Sequence, residues 1–296
     1  MKWEYLREEE FTAAVEKAKY TCVMPVGCME KHGQHLPLGT DTLAAARIVE
    51  MASEMEEVCV FPPFYFGDVQ GYHAMDADVH RLHGAIALDG DLMICYLRAL
   101  CDEIGRNGFK KIVLFNGHGG NTFLLHHLAR TLEHDCRDYE LFVYFIREPY
   151  PADMLEELQT VGREAYPAIS DADIAEMQAY IAEGRSGGHA CYAETAIMLG
   201  TYPELVRLDR ADVESGLSTH RTDHISNAGF YYPPGWFANH PDAYAGHSPA
   251  KCSQAVGDMA AKICARRFAE SLRVIKEDTV TLELNAERKL RANKQN

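Results

Sequence analysis

Residues 21–41 read Thr-Cys-Val-Met-Pro-Val-Gly-Cys-Met-Glu-Lys-His-Gly-Gln-His-Leu-Pro-Leu-Gly-Thr-Asp. The first six, Thr21 to Val26, are an apolar, β-prone run, and a helical pattern begins at Asp41. Between them lies a Gly- and Pro-rich loop that carries Glu30, His32 and His35. Strand, polar loop and helix in this order form the repeating unit of a parallel sheet wrapped by helices. Glu30 and His32 are two apart, so in extended backbone both side chains leave one face. With Asp41 close behind, the stretch offers carboxylate and imidazole together, the mix that binds hard to borderline divalent ions. Taken alone, Asp41 reads as a helix N-cap, and His35 as a hydrogen-bonding neighbour rather than a ligand.

The same alternation continues along the chain. Apolar runs at 58–61, 84–88, 111–116 and 141–146 are further strand candidates, and helical patterns occupy 41–56, 90–106, 122–134 and 250–270. In 90–106, Met93, Leu97, Leu100, Cys101 and Ile104 share one face at helical spacing, with Asp89 or Asp91 placed to cap the start and Gly108 the end. Asn121 is placed to cap the 122–134 helix. The pattern predicts an α/β fold: a three-layer α/β/α sandwich with a mainly parallel sheet, one domain over 1–275 and a charged tail over 276–296. Residues 147–188 hold acidic helical patches, while 207–249 are irregular and rich in Gly, Pro, His and aromatics, the composition of a functional loop or an oligomer contact. Trp236, inside that segment, reads as packing rather than as a lid over a substrate.

Bulk composition narrows the function. A formal charge of −15 over 296 residues argues against nucleic acid and against an anionic membrane surface as partners. The nine cysteines are scattered, with no Cys-x-x-Cys pair, as expected of buried thiols in a reducing compartment. No signal-peptide core opens the chain, and no apolar run approaches the ~20 residues of a membrane helix, so a cytoplasmic protein is expected.

Two more loops resemble the first in chemistry. Asn116-Gly-His-Gly-Gly-Asn121 follows the 111–116 strand and opens a helix. Ligands of open α/β sheets gather at the carboxyl ends of strands, so His118 is a natural third or fourth ligand beside Glu30, His32 and Asp41. The backbone N–H groups near Gly119 and Gly120 are placed to receive an oxyanion. In Gly187-Gly-His-Ala-Cys-Tyr-Ala-Glu-Thr195, glycines precede His189, and Glu194 stands at the start of a short apolar helix. His189 and Glu194 suit proton transfer, and Glu194 suits metal ligation equally. The histidines at 73, 80, 83, 126, 127, 134, 220, 224, 240 and 247 read mostly as non-catalytic. Three Gly-rich polar loops, each with a histidine, converge on a site for one divalent ion or for two adjacent ones. A thiol-dependent hydrolase using Cys28 or Cys191, and a non-catalytic metal- or metabolite-binding protein of the same fold, are the rival readings.

Met-Pro-Val-Gly-x-x-Glu-x-His-Gly-x-His-Leu-Pro-Leu-Gly-Thr-Asp, then Asn-Gly-His-Gly-Gly-Asn, then Gly-His-Ala-x-x-x-Glu-Thr closely resemble, in this order, the motifs of the creatininase (creatinine amidohydrolase) family. The resemblance implies a metal-dependent hydrolase of non-peptide carbon–nitrogen bonds, of a cyclic amide or formamide of a small molecule, with Zn2+, or Mn2+ or Fe2+, at one or two ions per chain. It also implies a homo-oligomer, often a hexamer. By motif position, Glu30, His32, Asp41 and His118 would ligate metal, with Asp41 bridging if there are two ions. His189 would transfer a proton or orient substrate, and Glu194 would be a further ligand or an acid/base. The chain also departs from the family pattern. Gly120 stands where creatininases carry a Glu for the second metal, Cys191 and Ala196 replace the Gly of His-Ala-Gly and the Ser of Glu-Thr-Ser, and Gly84-Ala85 replaces Gly-Thr. These differences point away from creatinine itself and toward another branch, such as those acting on a formamide of a pyrimidine nucleotide precursor or on a peptide precursor of a redox cofactor.

Overall fold

A computed structural model describes residues 1–69, 83–133 and 136–293. His73, His80 and His134 lie outside them.

Four parallel strands form one sheet: β1 (Thr21–Val26), β2 (Cys59–Val60), β3 (Lys111–Asn116) and β4 (Glu140–Phe145), in spatial order β2-β1-β3-β4. The two central strands match the apolar runs read from the sequence, because buried parallel strands are continuously apolar rather than alternating. The run 84–88 does not join the sheet; it makes one isolated bridge, Ala87 to Gly67. It lies instead over the first polar loop, where Ala85 and Ala87 pack on a small cluster containing Cys28, Val69 and Phe237, and the Ile86 N–H donates to the Met29 carbonyl at 3.0 Å.

Helices cover both faces. One face of the sheet, with Cys22, Met24, Ile112 and Leu114, packs against α1 (Glu8–Lys17), α3 (Gly90–Arg106) and α4 (Asn121–Leu132). The predicted stripe of α3 is buried through Met93, Leu97, Cys101 and Ile104, and Asp89 caps it by accepting from the Asp91 and Leu92 N–H groups. The other face, with Val23, Val113 and Phe115, packs against α2 (Thr40–Met55), α7 (Tyr192–Thr201) and α10 (Gln254–Glu277). The acidic patches of 147–188 become α5 (Pro151–Thr160) and α6 (Asp171–Ala182), and the irregular 207–249 stretch holds the short α8 (Asp223–Asn227) and α9 (Gly235–Asn239). This is the expected α/β/α sandwich.

The charged 276–296 segment is not a loose tail where it is described. Lys276 and Glu277 end α10, and Val280–Asn293 form α11, which docks on the edge strand. There the Asn285 side chain donates to Glu140 Oε1 at 2.7 Å and to the Tyr139 carbonyl at 3.3 Å. Polar anchors replace the apolar stripe by which a docked helix is normally recognised. No helix among the described residues is long and apolar enough to cross a membrane.

Candidate metal centre

β1, β3 and β4 end side by side, with Val26 opposite Asn116 and Asn116 opposite Phe145. The loops that leave them therefore share one rim of the sheet. After β1 the chain doubles back: the Gly27 N–H donates to the Phe64 carbonyl and the Glu30 N–H to the Leu38 carbonyl, both at 3.0 Å. This brings the start of α2 against the loop that precedes it. Asp41 is thereby placed in the first turn of α2, not at its cap, which is Gly39. Its carboxylate turns toward the loop and meets Cys28, His32 and His118.

The turn after β3 is pinned by Asn116, whose Nδ2 donates to the His118 carbonyl at 2.7 Å and whose Oδ1 accepts from the His118 N–H at 3.2 Å. Asn121, expected as a cap, is the first residue of α4 and braces the two loops together. Its Oδ1 accepts from the Asp68 N–H at 2.8 Å, and its Nδ2 donates to the Gly27 carbonyl at 3.2 Å and to Asn116 Oδ1 at 3.0 Å. A Cβ at position 120 would stand 2.4 Å from both the Asp68 carbonyl oxygen and His118 Nε2. Only glycine closes this turn, so no carboxylate side chain can project from it.

The third loop precedes α7. His189 and Ala245 exchange backbone hydrogen bonds at 2.8 Å in both directions. Ala190 follows in the left-handed region, at φ 55°, and its N–H donates to Glu194 Oε2 at 2.5 Å. Non-glycine residues rarely hold this conformation unless the surroundings impose it, and such positions cluster at functional sites.

Together these loops set ligand-type atoms on both oxygens of Asp41. Oδ1 lies 3.0 Å from His32 Nε2, which is 3.8 Å from Glu194 Oε2 and 4.0 Å from Glu30 Oε1. Oδ2 lies 2.9 Å from His118 Nδ1 and 2.9 Å from Cys28 Sγ, and Glu30 Oε1 is 3.0 Å from His118 Nδ1. The ligand atoms of Cys28, Glu30, Asp41 and His118 all fall within 4.8 Å of one another, as do those of His32, Asp41 and Glu194, and of Glu30, His32 and His189. All eight sequence-predicted site residues lie on these loops or in the first turns of the helices they open into, although Gly119 and Gly120 contribute backbone only.

Each of the three imidazoles donates from one nitrogen to a backbone carbonyl. His32 Nδ1 meets the Glu30 oxygen at 3.2 Å, His118 Nε2 the Asp68 oxygen at 3.0 Å, and His189 Nε2 the Lys31 oxygen at 2.8 Å. The remaining nitrogen of each ring is thus aimed inward, to carry a proton or a cation. Metal-bound histidines are oriented in this way. His35 differs: it is buried, with Nε2 facing the Ala190 carbonyl at 3.0 Å and Thr195 Oγ1 at 3.1 Å, and supports the third loop from behind.

The charges are strongly coupled. Burial works to raise the Asp41 and Glu30 carboxyls, yet His32 and His118 hold Asp41 well below its ordinary range, and His118 and His189 hold Glu30 below it. Burial disfavours the charged imidazoles, but Asp41 raises His32 and Glu30 raises His118, the latter strongly. The buried carboxylates and imidazoles thus favour one another's charged forms, a task a divalent cation performs in one step. Glu194 is pushed well up by burial and by Glu148 and Asp41, and Glu148 is pushed up to about 7 by burial and by Asp41. His189 is pushed down to about 4 by burial and by its neighbour His32.

The family model described as creatinine amidohydrolase matches residues 4–272. The chain belongs to the creatininase family. A creatinine amidohydrolase of Pseudomonas putida is 26% identical over 216 residues, covering 68% of this chain and 72% of the relative. A mycofactocin precursor peptide peptidase of Mycolicibacterium smegmatis is 33% identical over 125 residues, 39% of this chain and 46% of the relative. Among solved structures, a Zn-Zn type creatininase mutant superposes with a TM-score of 0.65 at 21% identity, covering 94% of this chain and 98% of the other. A Mn creatininase gives 0.65 at 20% identity, with 94% and 99% covered. The relatives of this creatininase-family chain are hydrolases, and the structural likeness shows a shared fold.

The geometry speaks against a thiol nucleophile. Cys28 is fully buried, and burial and then Asp41 push its thiol well up. Cys191 is also buried and pushed up to about 12. Reactive cysteines are exposed and of low pKa. Glu148 was not anticipated. It is a lone Glu three residues beyond β4 with no motif around it, and its one signal is that β4 ends on the same rim as β1 and β3. Trp236, read as packing, stands edge-on to the His189 ring at 5.3 Å and is 38% exposed, so it borders the centre.

Proposed function

We propose that this chain is a metal-dependent amidohydrolase that opens the carbon–nitrogen bond of a small cyclic amide or formamide. The inward aim of three imidazoles, each fixed by a backbone carbonyl, carries this reading. In it Glu30, Asp41 and His118 would hold one ion, and His32, Asp41 and Glu194 would hold a second. Zn2+ is expected, or Mn2+ or Fe2+, since all accept this oxygen and nitrogen set. Such an ion supplies a water whose pKa falls from 15.7 to about 7 for zinc, and a Lewis acid for the substrate oxygen.

The chain's own residues do the rest. The Gly119 and Gly120 N–H groups, at the start of α4, orient the substrate oxygen and stabilise its developing charge. His189 keeps Nδ1 open toward the centre because Nε2 is engaged by the Lys31 carbonyl, so it accepts a proton there and returns it to the leaving nitrogen. Where only the first ion is bound, Glu194 is released from ligation and is the second candidate donor. The carboxylate that the family carries two residues after the motif histidine is absent here, and Glu194 takes its place.

A homo-oligomer is expected, often a hexamer in this family. The apolar groove of about 490 Å3 between β4 and α10, with Val274 exposed on it, is a surface an oligomer would cover. Nine free thiols, seven of them buried, support a cytoplasmic location.

The test is elemental analysis of the purified protein, then a screen of formamides, cyclic ureides and small amides with and without chelator. Retained metal and chelator-sensitive hydrolysis of a carbon–nitrogen bond are expected. Chelator-insensitive hydrolysis that an alkylating agent abolishes would return the assignment to the thiols.

A further inference from the structure

Cys28 occupies a position that the hydrolase reading leaves unused. Its side chain is fully buried, with apolar Val69 and Phe237 clustered around it. A Cβ at Gly67 would stand 2.4 Å from Cys28 Cβ, so the backbone closes off the space behind the thiol. The polar group it does meet is Asp41 Oδ2, at 2.9 Å, the same oxygen that His118 Nδ1 meets at 2.9 Å. Beside them Glu30 Oε1 is buried and shares His118 Nδ1, at 3.0 Å, with that Asp41 oxygen, so one ring nitrogen faces two carboxylate oxygens. Two carboxylate oxygens, an inward imidazole nitrogen and a thiol thus converge within 4.8 Å. A tetrahedral set at metal–ligand bonds of about 2.0–2.3 Å puts ligand atoms roughly 3.3–3.8 Å apart, somewhat beyond the closest pairs here, at 2.9 Å, and within the 4.8 Å spread of the four atoms.

We propose that Cys28, as thiolate, is a fourth protein ligand to the ion held by Glu30, Asp41 Oδ2 and His118. The inference rests on the two-ion reading given above. On binding, the sulfur exchanges its proton, which leaves to solvent, for a bond to the cation. Two consequences follow. A thiolate widens the preference for Zn2+ over Mn2+ beyond that of the harder set His32, Asp41 and Glu194. Four protein ligands also close a zinc site, while catalytic sites keep a position open. The open position then falls to the half formed by His32, Asp41 and Glu194, whose His32 ring lies 4.1 Å from the His189 ring.

Cobalt substitution of the full chain tests this. Metal-stripped protein titrated with Co2+ should show visible ligand-field bands and an intense near-ultraviolet sulfur-to-cobalt charge-transfer band. In Cys28→Ser the ligand-field bands should persist and the charge-transfer band should vanish. Zn2+ affinity should fall about 100-fold or more, the upper end of what outer-shell changes already cost, with Mn2+ affinity much less affected. Ligand-field bands without charge transfer in the unsubstituted protein would overturn the Cys28 assignment and leave the metal reading intact. A charge-transfer band that survives in Cys28→Ser overturns it as well, by assigning the sulfur elsewhere. Failure to take up cobalt at all sinks both. Should Cys28→Ser not fold, X-ray absorption at the zinc edge of the unsubstituted protein gives the same decision: a ligand shell of oxygen and nitrogen with no sulfur near 2.3 Å rejects the ligand role.

Discussion

The two ends of β3 bury polar groups in opposite ways. At its start Lys111 is 3% exposed, and its ammonium donates to the carbonyls of Ile275, Lys276 and Asp278 at 2.7, 3.0 and 2.5 Å. Every N–H of the ammonium has a partner, and the positive charge sits on the C-terminus of α10, where the helix dipole favours it. At its end, past Asn116, carboxylates of Asp41, Glu30, Glu194 and Glu148 gather with inward imidazoles, and Glu30 Oε1 and Asp41 Oδ2 both crowd on the single nitrogen His118 Nδ1, at 3.0 and 2.9 Å. One end is complete within the chain. The other sets more buried acceptors than its ring nitrogens can answer. Buried polar groups are nearly always satisfied, so an excess of acceptors on a rigid rim is a mark of binding rather than of stability.

Breaking the open end should have the largest effect. Asp41→Ala removes the carboxylate shared by both halves, so metal affinity should drop by about 100-fold or more, and hydrolysis with it. Elemental analysis after dialysis is the measurement, and an unchanged metal content would contradict the bridging role. His189→Ala separates chemistry from binding: metal should be retained while kcat falls about 10²–10⁴-fold, the usual worth of a positioned proton-transfer group. Near-normal turnover in this variant removes His189 from the mechanism.

Much of the open end was legible in the chain, because it is local. Thr21–Val26 and Lys111–Asn116 are continuous apolar runs that stop at Gly-rich polar loops, and the strand-end rule brings those loops together. Glu30, His32 and His118 are candidates on that ground, while Asp41, which alone reads as a helix N-cap, joins them by the family resemblance. What was not legible depends on chain reversal or on distant contacts. Cys28 has no partner at a fixed short spacing; Asp41, 13 residues on, becomes one when the loop folds back. Glu148 has no motif, and its meaning comes from where β4 ends. The 84–88 run carries a strand's composition but covers a loop. Lys111 looks like a surface lysine opening a strand, and its three acceptors lie 164 to 167 residues away. Val280–Asn293 looks like a charged tail because its anchors are polar.

The closed end should break quietly. Lys111→Met leaves three buried carbonyls without donors, at a cost of about 3 kcal/mol, since each unsatisfied group costs about 1–3 kcal/mol and some rotate or hydrate. Urea unfolding at neutral pH measures it, and metal content should stay at the unsubstituted level. A loss of metal in this variant would mean that the two ends are not independent.

The smallest effect lies behind the open end and appears only in acid. His35 is held neutral: burial pushes it down to about 4, and its Nδ1 is buried with no hydrogen-bond partner to receive a proton. The unfolded chain protonates this residue near 6.5, so between about 6.5 and about 4 the unfolded state binds more protons than the folded one. Stability must therefore fall as pH drops through this window, by up to about 3 kcal/mol from this residue, and fall no further from it below about 4. His35→Gln keeps a donor toward the Ala190 carbonyl and removes the titration. His32, His118 and the carboxylates titrate in both proteins, so the difference between the two stability–pH curves isolates His35. Parallel curves would mean that this histidine is not held neutral, and that the loop bearing His189 does not depend on its staying so.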